Sequence, residues 1–462
     1  MQRISLDSYP SLREQSVLHL TPVGARVIGG EFDGEVMGYH IKPLLFATIN
    51  ITAREVLRHC DGETKISDII RLLADKNKVS DEKSEVEKVR NGVLEFISEA
   101  LKYKIIKLDC APSLHRLNIT GSDECFIPQH MSVELTSECN LECLYCYRES
   151  GPHRTDRLSG DQLIGVLKRL AEKGLRSVEI TGGEPLLHPD FDEILEFCVD
   201  TFHQIALLTN GTLIDERIAK RLKEGNVLVQ LDLDGSCGDL HDAIRGRAGA
   251  FRRTKWAIRT LVKHGVSVRV AMNVIKRNIF DIENTLVLSK DQGVTWFAFA
   301  PVMSFGRANN IQTGFSAKEV QFMADLRKRF SEEHGSFFTN LSTDKFCSIF
   351  ENNKNCGAGY RAAVLGPKGR VRPCVVLSGD YLVIGDLTKE SVERVFSNPI
   401  VESFYNLASP GGEVCKGCEY EQNCKYCFSR AIVKQPKFGE SCAWVKKHRL
   451  DEWILRTEPE IM

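Results

Sequence analysis

Two hydrophobic periods alternate along the middle of the chain. Short apolar runs at Ser132–Leu135, Ser177–Thr181, Gln204–Leu208, Val227–Leu233, Ser267–Val274 and Thr295–Ala300 read as strands. Between them, Ser159–Lys173, Pro189–Thr201, Asp215–Lys223, Phe251–His264 and Asp281–Lys290 carry apolar residues at helical spacing. Strands that alternate with helices in this way predict parallel βα units. Sheets of that kind carry their working residues at the C-terminal strand ends.

The pattern over residues 1–110 is different. Two strand-like runs, around Arg26–Gly29 and Glu35–Tyr39, flank Phe32-Asp33-Gly34, which has Asp-Gly turn chemistry. Helical periodicity follows over Thr52–Cys60, over Ser67–Ala74 with Ser67 as the expected N-cap, and over Ser84–Leu101. The apolar run Lys104–Leu108 closes the unit. A hairpin with three helices predicts a winged-helix-like α+β module. Such modules often bind nucleic acid, yet no dense basic stripe is present. Residues 111–129 read as a linker, broken by Pro112, Gly121 and Pro128. Beyond about residue 340, Gly and Cys become more frequent and turn residues dominate.

Charge narrows the picture. Lys+Arg total 61 against 62 Asp+Glu, a net charge of −1, which argues against a general nucleic-acid binder. No apolar run reaches the roughly 18 residues of a spanning helix, so no membrane segment is expected. Met1–Pro10 lacks a basic-then-apolar signal pattern, and the expected compartment is the cytoplasm.

The sixteen cysteines change the picture most. Thiols stay reduced in that compartment, so clustered cysteines read as metal or cluster ligands before disulfides. Cys139-Asn-Leu-Glu-Cys143-Leu-Tyr-Cys146 directly follows the first strand of the alternating region. Three thiolates this close can wrap one iron–sulfur cluster and leave its fourth iron open to a small molecule. A structural zinc site would want a fourth ligand, and none sits nearby. Cys198 shares a helix face with Ile194, Leu195 and Phe197 and reads as core, and Cys60 ends a helix. His188 and His241 have no partner pattern and read as structural.

This spacing, with an aromatic residue just before the third cysteine, resembles the radical S-adenosylmethionine superfamily. The resemblance implies a partial (β/α)6 barrel and a 4Fe–4S cluster on Cys139, Cys143 and Cys146. It also implies S-adenosylmethionine chelated at the open iron and a 5′-deoxyadenosyl radical as the oxidant. Thr181-Gly182-Gly183-Glu184-Pro185, at the end of the next strand, is similar to the family's Gly-Gly-Glu-Pro segment. There glycine opens the backbone to the cofactor's ammonium. Tyr145, Thr209, Asn210, Asp234, Asn273 and Arg307 complete the implied cofactor contacts. Members usually carry Ser where Asp232 stands.

The later cysteines resemble the SPASM extension, which carries two auxiliary clusters. The resemblance implies Cys415, Cys418, Cys424 and Cys442 on one cluster and Cys356, Cys374 and Cys427 on the other. Cys347 fills the remaining position, or that position stays open to substrate; a buried structural thiol is the plainer reading of Cys347. The 415–427 spacing also suits zinc. The N-terminal unit resembles a PqqD-type domain, which captures leader peptides by strand addition. The expected domains are therefore 1–110 for recognition, 111–129 as linker, 130–340 as the radical core and 341–462 as SPASM. That order, with Asn355-Cys356-Gly357-Ala358-Gly359-Tyr360 and Val371-Arg372-Pro373-Cys374, is most similar to sactipeptide maturases of the subtilosin type. The implied activity is formation of cysteine-sulfur-to-carbon thioethers in a ribosomal precursor peptide. The implied partners are that peptide with its leader and an electron donor such as flavodoxin or ferredoxin, with no nucleic acid and no membrane. Carbon–carbon or carbon–oxygen crosslinking and epimerisation are the alternative chemistries, and a non-catalytic peptide scaffold is the alternative class.

Overall fold

The structure, a computed structural model, describes residues 4–14, 16–28, 46–77, 83–338, 355–377, 382–418, 421–424, 427–434 and 442–450. It divides into two units: Met1–Ile127 with Glu172–Gly174, and Pro128–Ala171 with Leu175–Met462.

In the first unit, strands β1 (Tyr9–Leu12), β2 (Val17–Thr21), β3 (Gly24–Ile28) and β4 (Phe46–Asn50) precede helices α1 (Ile51–Leu57), α2 (Ile66–Lys76) and α3 (Lys83–Lys102). Strands β5 (Ile106–Asp109) and β6 (Asn118–Gly121) follow. One sheet runs β4-β3-β2-β6, and β1 pairs separately with β5. The core is aliphatic: Leu18 and Val27 of the sheet, Val56, Ile69 and Ile97 of the helices, and Ile106 of β5. Asn50 caps α1, its side chain accepting from the Ala53 amide at 2.8 Å.

Two expectations change here. The stretch 111–129 is not a plain linker, because β6 lies inside it and pairs in parallel with β2, Leu18 opposite Ile119. Turn residues on either side hid a short strand whose pairing partner is a hundred residues away. Ser67 is not an N-cap, because α2 begins at Ile66 and Lys65 takes the cap position. The run Glu35–Tyr39 and its Asp33-Gly34 turn lie outside the described residues, as does Cys347.

The second unit carries the alternating pattern. Its strands are β7 (His130–Glu134), β8 (Ser177–Thr181), β9 (Gln204–Thr209), β10 (Leu228–Asp232), β11 (Val268–Val274) and β12 (Trp296–Pro301). The helices among them are α4 (Gly160–Glu172), α5 (Phe191–Thr201), α6 (Glu216–Glu224), α7 (Gly238–Arg245), α8 (Ala250–Lys263) and α9 (Ile282–Asp291), and α10 (Ala317–His334) follows β12. The strands run parallel in chain order, as the βα pattern predicts. Two helices, α7 and α10, were not anticipated. A capping box at Ser316 and Glu319 starts α10.

The same sheet continues past β7 through β13 (Ala362–Leu365), β14 (Arg370–Arg372) and β15 (Gly385–Asp386). β13 lies parallel to β7, Leu365 opposite Val133, and β14 and β15 are antiparallel additions. Short helices α11 (Val392–Phe396), α12 (Pro399–Asn406), α13 (Glu421–Cys424), α14 (Phe428–Lys434) and α15 (Ala443–Lys447) complete the loop-rich end. Strand alternation sends Met131 and Val133 into the core and turns Ser132 and Glu134 to the opposite face. Among the described residues no helix is long and apolar enough to cross a membrane.

Candidate functional site

The three-cysteine loop leaves β7 and folds back over the C-terminal ends of the parallel strands. Backbone bonds hold it on several sides. The Gly183 amide donates to Thr136 O at 2.7 Å and the Glu184 amide to Glu138 O at 2.8 Å. The Leu144 amide donates to Ile244 O at 2.9 Å, at the end of α7. Arg307 donates to the carbonyls of Cys143 and Ser150, both at 2.8 Å, and its own amide reaches Cys146 O. Arg307 thus clamps the loop.

The glycines serve the same contact. A Cβ on Gly183 would stand 2.0 Å from Glu138 O, and one on Gly182 (φ +132°) would stand 2.6 Å from Thr136 O. The close approach that requires glycine here is to the cysteine loop's own backbone.

Cys139 and Cys143 are buried and Cys146 is partly exposed. Burial pushes the Cys139 thiol up to about 11, with the Glu184 carboxylate adding. Burial pushes Cys143 up to about 12; Arg245 opposes this, and Cys146 and Cys139 reinforce it. Each thiol therefore lies within the field of the others. Thiolates in such a site need a bound cation to hold their charge.

Glu184 is fully buried and accepts from Thr209 Oγ1 at 2.7 Å, the Asn210 amide at 2.9 Å and the Leu186 amide at 3.2 Å. Pro185 opens the short turn that follows. Asn210 Nδ2 donates to Asn140 Oδ1 at 2.8 Å and lies 3.9 Å from the Cys139 sulfur. Glu184, Thr209 and Asn210 therefore tie β8 and β9 to the loop.

A second network surrounds Tyr145. Its hydroxyl donates to Asp234 Oδ2 at 2.6 Å and accepts from Asn273 Nδ2 at 3.1 Å. The Asn273 amide donates to Asp234 Oδ1 at 2.9 Å. Arg245, buried at the end of α7, contacts the same hydroxyl and pairs with both Asp232 and Asp234 at 3.3 Å. Its Nε is buried without a partner. Burial pushes Asp234 up to about 6, with Arg245 opposing and Asp232 adding.

Sequence reasoning missed Arg245. The signal was there: a helical turn directly after Asp234-Gly235, closed by Gly246 in the left-handed region at φ +69°. His241 accepts from the Asp234 amide at 3.1 Å, and His188 contacts Leu158 O at 2.9 Å, so both act structurally.

The later cysteines fall into neighbouring sets. Burial raises the Cys374 thiol, and the Cys427 charge adds to it. Burial also raises Cys415, whose sulfur accepts from the Gly411 amide at 3.2 Å and feels Cys442 and Cys418. Cys374 thus lies near Cys427, and Cys415 lies near Cys418 and Cys442. Cys356 follows Asn355, which donates to Phe404 O at 2.8 Å and Leu407 O at 2.6 Å. Among the described residues no three His, Cys, Asp or Glu side chains converge as a single metal ion would require.

Residues 133–288 match the radical SAM superfamily, and residues 356–419 match the SPASM iron-sulfur cluster-binding domain. The chain carries a radical SAM domain followed by a SPASM domain. A radical SAM domain holds S-adenosylmethionine on a 4Fe–4S cluster, and a SPASM domain holds auxiliary iron–sulfur clusters. The buried Arg245 guanidinium, which contacts Tyr145 of the cysteine loop and has an unpartnered Nε, fits the carboxylate end of such a cofactor. The chain is 29% identical over 454 residues to the antilisterial bacteriocin subtilosin biosynthesis protein AlbA of Bacillus subtilis, covering 96% of this chain and 98% of AlbA. It is 27% identical to the sporulation killing factor maturation protein SkfB of Bacillus subtilis, over 69% of this chain and 74% of SkfB. Among solved structures, Streptococcus suis SuiB bound to S-adenosylmethionine has the same fold, with a TM-score of 0.63 at 13% identity over 94% of this chain and 98% of SuiB.

Proposed function

We propose that this chain matures a ribosomally made precursor peptide by linking a cysteine sulfur to a peptide carbon. The observation that carries the reading is the loop of three neighbouring thiols held against the buried Arg245. End-to-end similarity to AlbA supports the choice of substrate class. Cys139, Cys143 and Cys146 would hold the reducing cluster. Cys374, Cys427 and Cys356 would hold an inner auxiliary cluster, and Cys415, Cys418, Cys424 and Cys442 an outer one. When bound, S-adenosylmethionine and the reducing cluster supply a 5′-deoxyadenosyl radical that removes a hydrogen atom from a peptide carbon. Arg245 would pair with the cofactor's carboxylate. Tyr145, Asp234 and Asn273 keep that guanidinium in place, and Arg307 and the two glycines keep the loop rigid. The first unit would capture the leader by strand addition. A flavodoxin- or ferredoxin-class protein in the cytoplasm would supply electrons; the described cysteines, all free thiols, are consistent with that compartment.

Anaerobic incubation of iron-loaded protein with a cysteine-bearing precursor, S-adenosylmethionine and reductant tests the reading by mass spectrometry. The expected product has lost two hydrogens per link, and its linked cysteines resist alkylation. Loss of two hydrogens with every cysteine still alkylatable would indicate a carbon–carbon or carbon–oxygen crosslink. Unchanged mass with consumed S-adenosylmethionine would indicate epimerisation.

A further inference from the structure

One buried charge cluster is not used by that chemistry. Glu134 ends β7 and is 1% exposed. Its Oε2 pairs with Nη1 of Arg148 and with Nη2 of Arg372, and both arginine side chains are nearly inaccessible. Its Oε1 is buried without a partner. Arg372 also donates to Leu377 O at 2.5 Å. Arg148 stands two residues after Cys146, and Arg372 stands two residues before Cys374. One carboxylate therefore joins the cysteine loop to the strand that leads into the auxiliary site. The three groups carry one positive charge more than negative, away from water.

Buried ion pairs are a poor source of stability, because desolvation offsets most of the attraction. They do set a local field, which low dielectric strengthens. Reduction potentials of iron–sulfur clusters respond to net charge and hydrogen bonding nearby. We propose that Glu134 is a positioning residue that sets the field at two cluster sites together, through Arg148 at the Cys139–Cys146 loop and through Arg372 at the Cys374 site. The inference rests on the cysteine assignments made above.

The test is spectropotentiometric EPR titration of the full-length, iron-loaded protein. Glu134→Gln removes a negative charge, so the potentials of both the reducing cluster and the inner auxiliary cluster should rise. Arg372→Gln removes a positive charge, and the auxiliary potential should fall more than that of the reducing cluster. Arg148→Gln should show the opposite preference. Arg372→Lys keeps the charge and should restore the auxiliary potential. If Arg372→Gln fails to take up iron, the Glu134→Gln and Arg148→Gln comparison decides the question alone. Unmoved potentials at full iron content, or equal shifts in both arginine variants, would overturn the proposal. Absence of clusters or of S-adenosylmethionine cleavage in the unsubstituted protein would instead overturn the functional reading.

Discussion

The two cysteine regions are built in opposite ways. The loop from Cys139 to Cys146 is anchored by protein alone. Backbone amides from β8, carbonyls of α7, the Arg307 clamp and two glycines hold it where it leaves β7. Of the later cysteines, Cys415 ends a short 3-10 turn, Cys424 ends the four-residue α13, Cys427 precedes the seven-residue α14 and Cys442 caps α15. Helices that short do not persist on their own in water. The first region is preorganised for its metal, and the second presents its ligands from short elements that bound metal would be expected to stiffen.

Removal of iron should therefore separate them. Anaerobic chelation is expected to open amides of residues 412–447 to hydrogen exchange by several orders of magnitude, while amides of the parallel sheet stay protected. Structural metal sites contribute on the order of 10 kcal/mol to the segments they close, so the contrast should be large. Equal exchange in both regions would end the comparison.

The preorganised side breaks at a different point. Gly183→Ala places a methyl 2.0 Å from a backbone oxygen, which no rotamer change relieves. It should cost about 3 kcal/mol, the upper end for overpacking. It should also abolish S-adenosylmethionine cleavage while leaving the auxiliary iron in place, as read by denaturation and iron analysis.

The smallest effect concerns pH. Burial raises the Asp234 carboxyl to about 6, above its ordinary range near 4. A carboxyl raised in the folded state binds protons more tightly there than in the unfolded chain. Its ionised form thus costs stability above about pH 6, and that cost is relieved as pH falls towards 4. Asp234→Asn should flatten this part of the stability curve, as measured by urea denaturation at each pH. An unchanged slope would show that Arg245 already neutralises the carboxylate.

The catalytic unit was legible because its signals are local. Strand and helix periods, the Cys139–Cys146 spacing and Gly182-Gly183-Glu184-Pro185 can each be read within a window shorter than one βα unit. What stayed hidden depends on distant partners. β6 is four residues of mixed polarity that become a strand only against β2. Arg245 looks like an ordinary helix-terminal arginine until Asp232, Asp234 and Tyr145 surround it. Glu134 is one residue of a short strand, and its partners lie fourteen and more than two hundred positions away. Spacing at Gly182 and Gly183 reveals a need for close approach and does not reveal that the cysteine loop's own backbone is one of the neighbours.

The pairing of β13 with β7 also has a consequence in time. Val133 waits for Leu365, which is synthesised about 230 residues later, a long-range contact of the kind that slows folding. Until then β7 is an uncovered edge as the chain leaves the ribosome, with the cysteine loop at its end. Iron delivered during that interval finds the three loop thiols already synthesised and the auxiliary cysteines, from Cys356 onward, only beginning to emerge. The order of synthesis thereby favours filling the reducing site before the auxiliary ones.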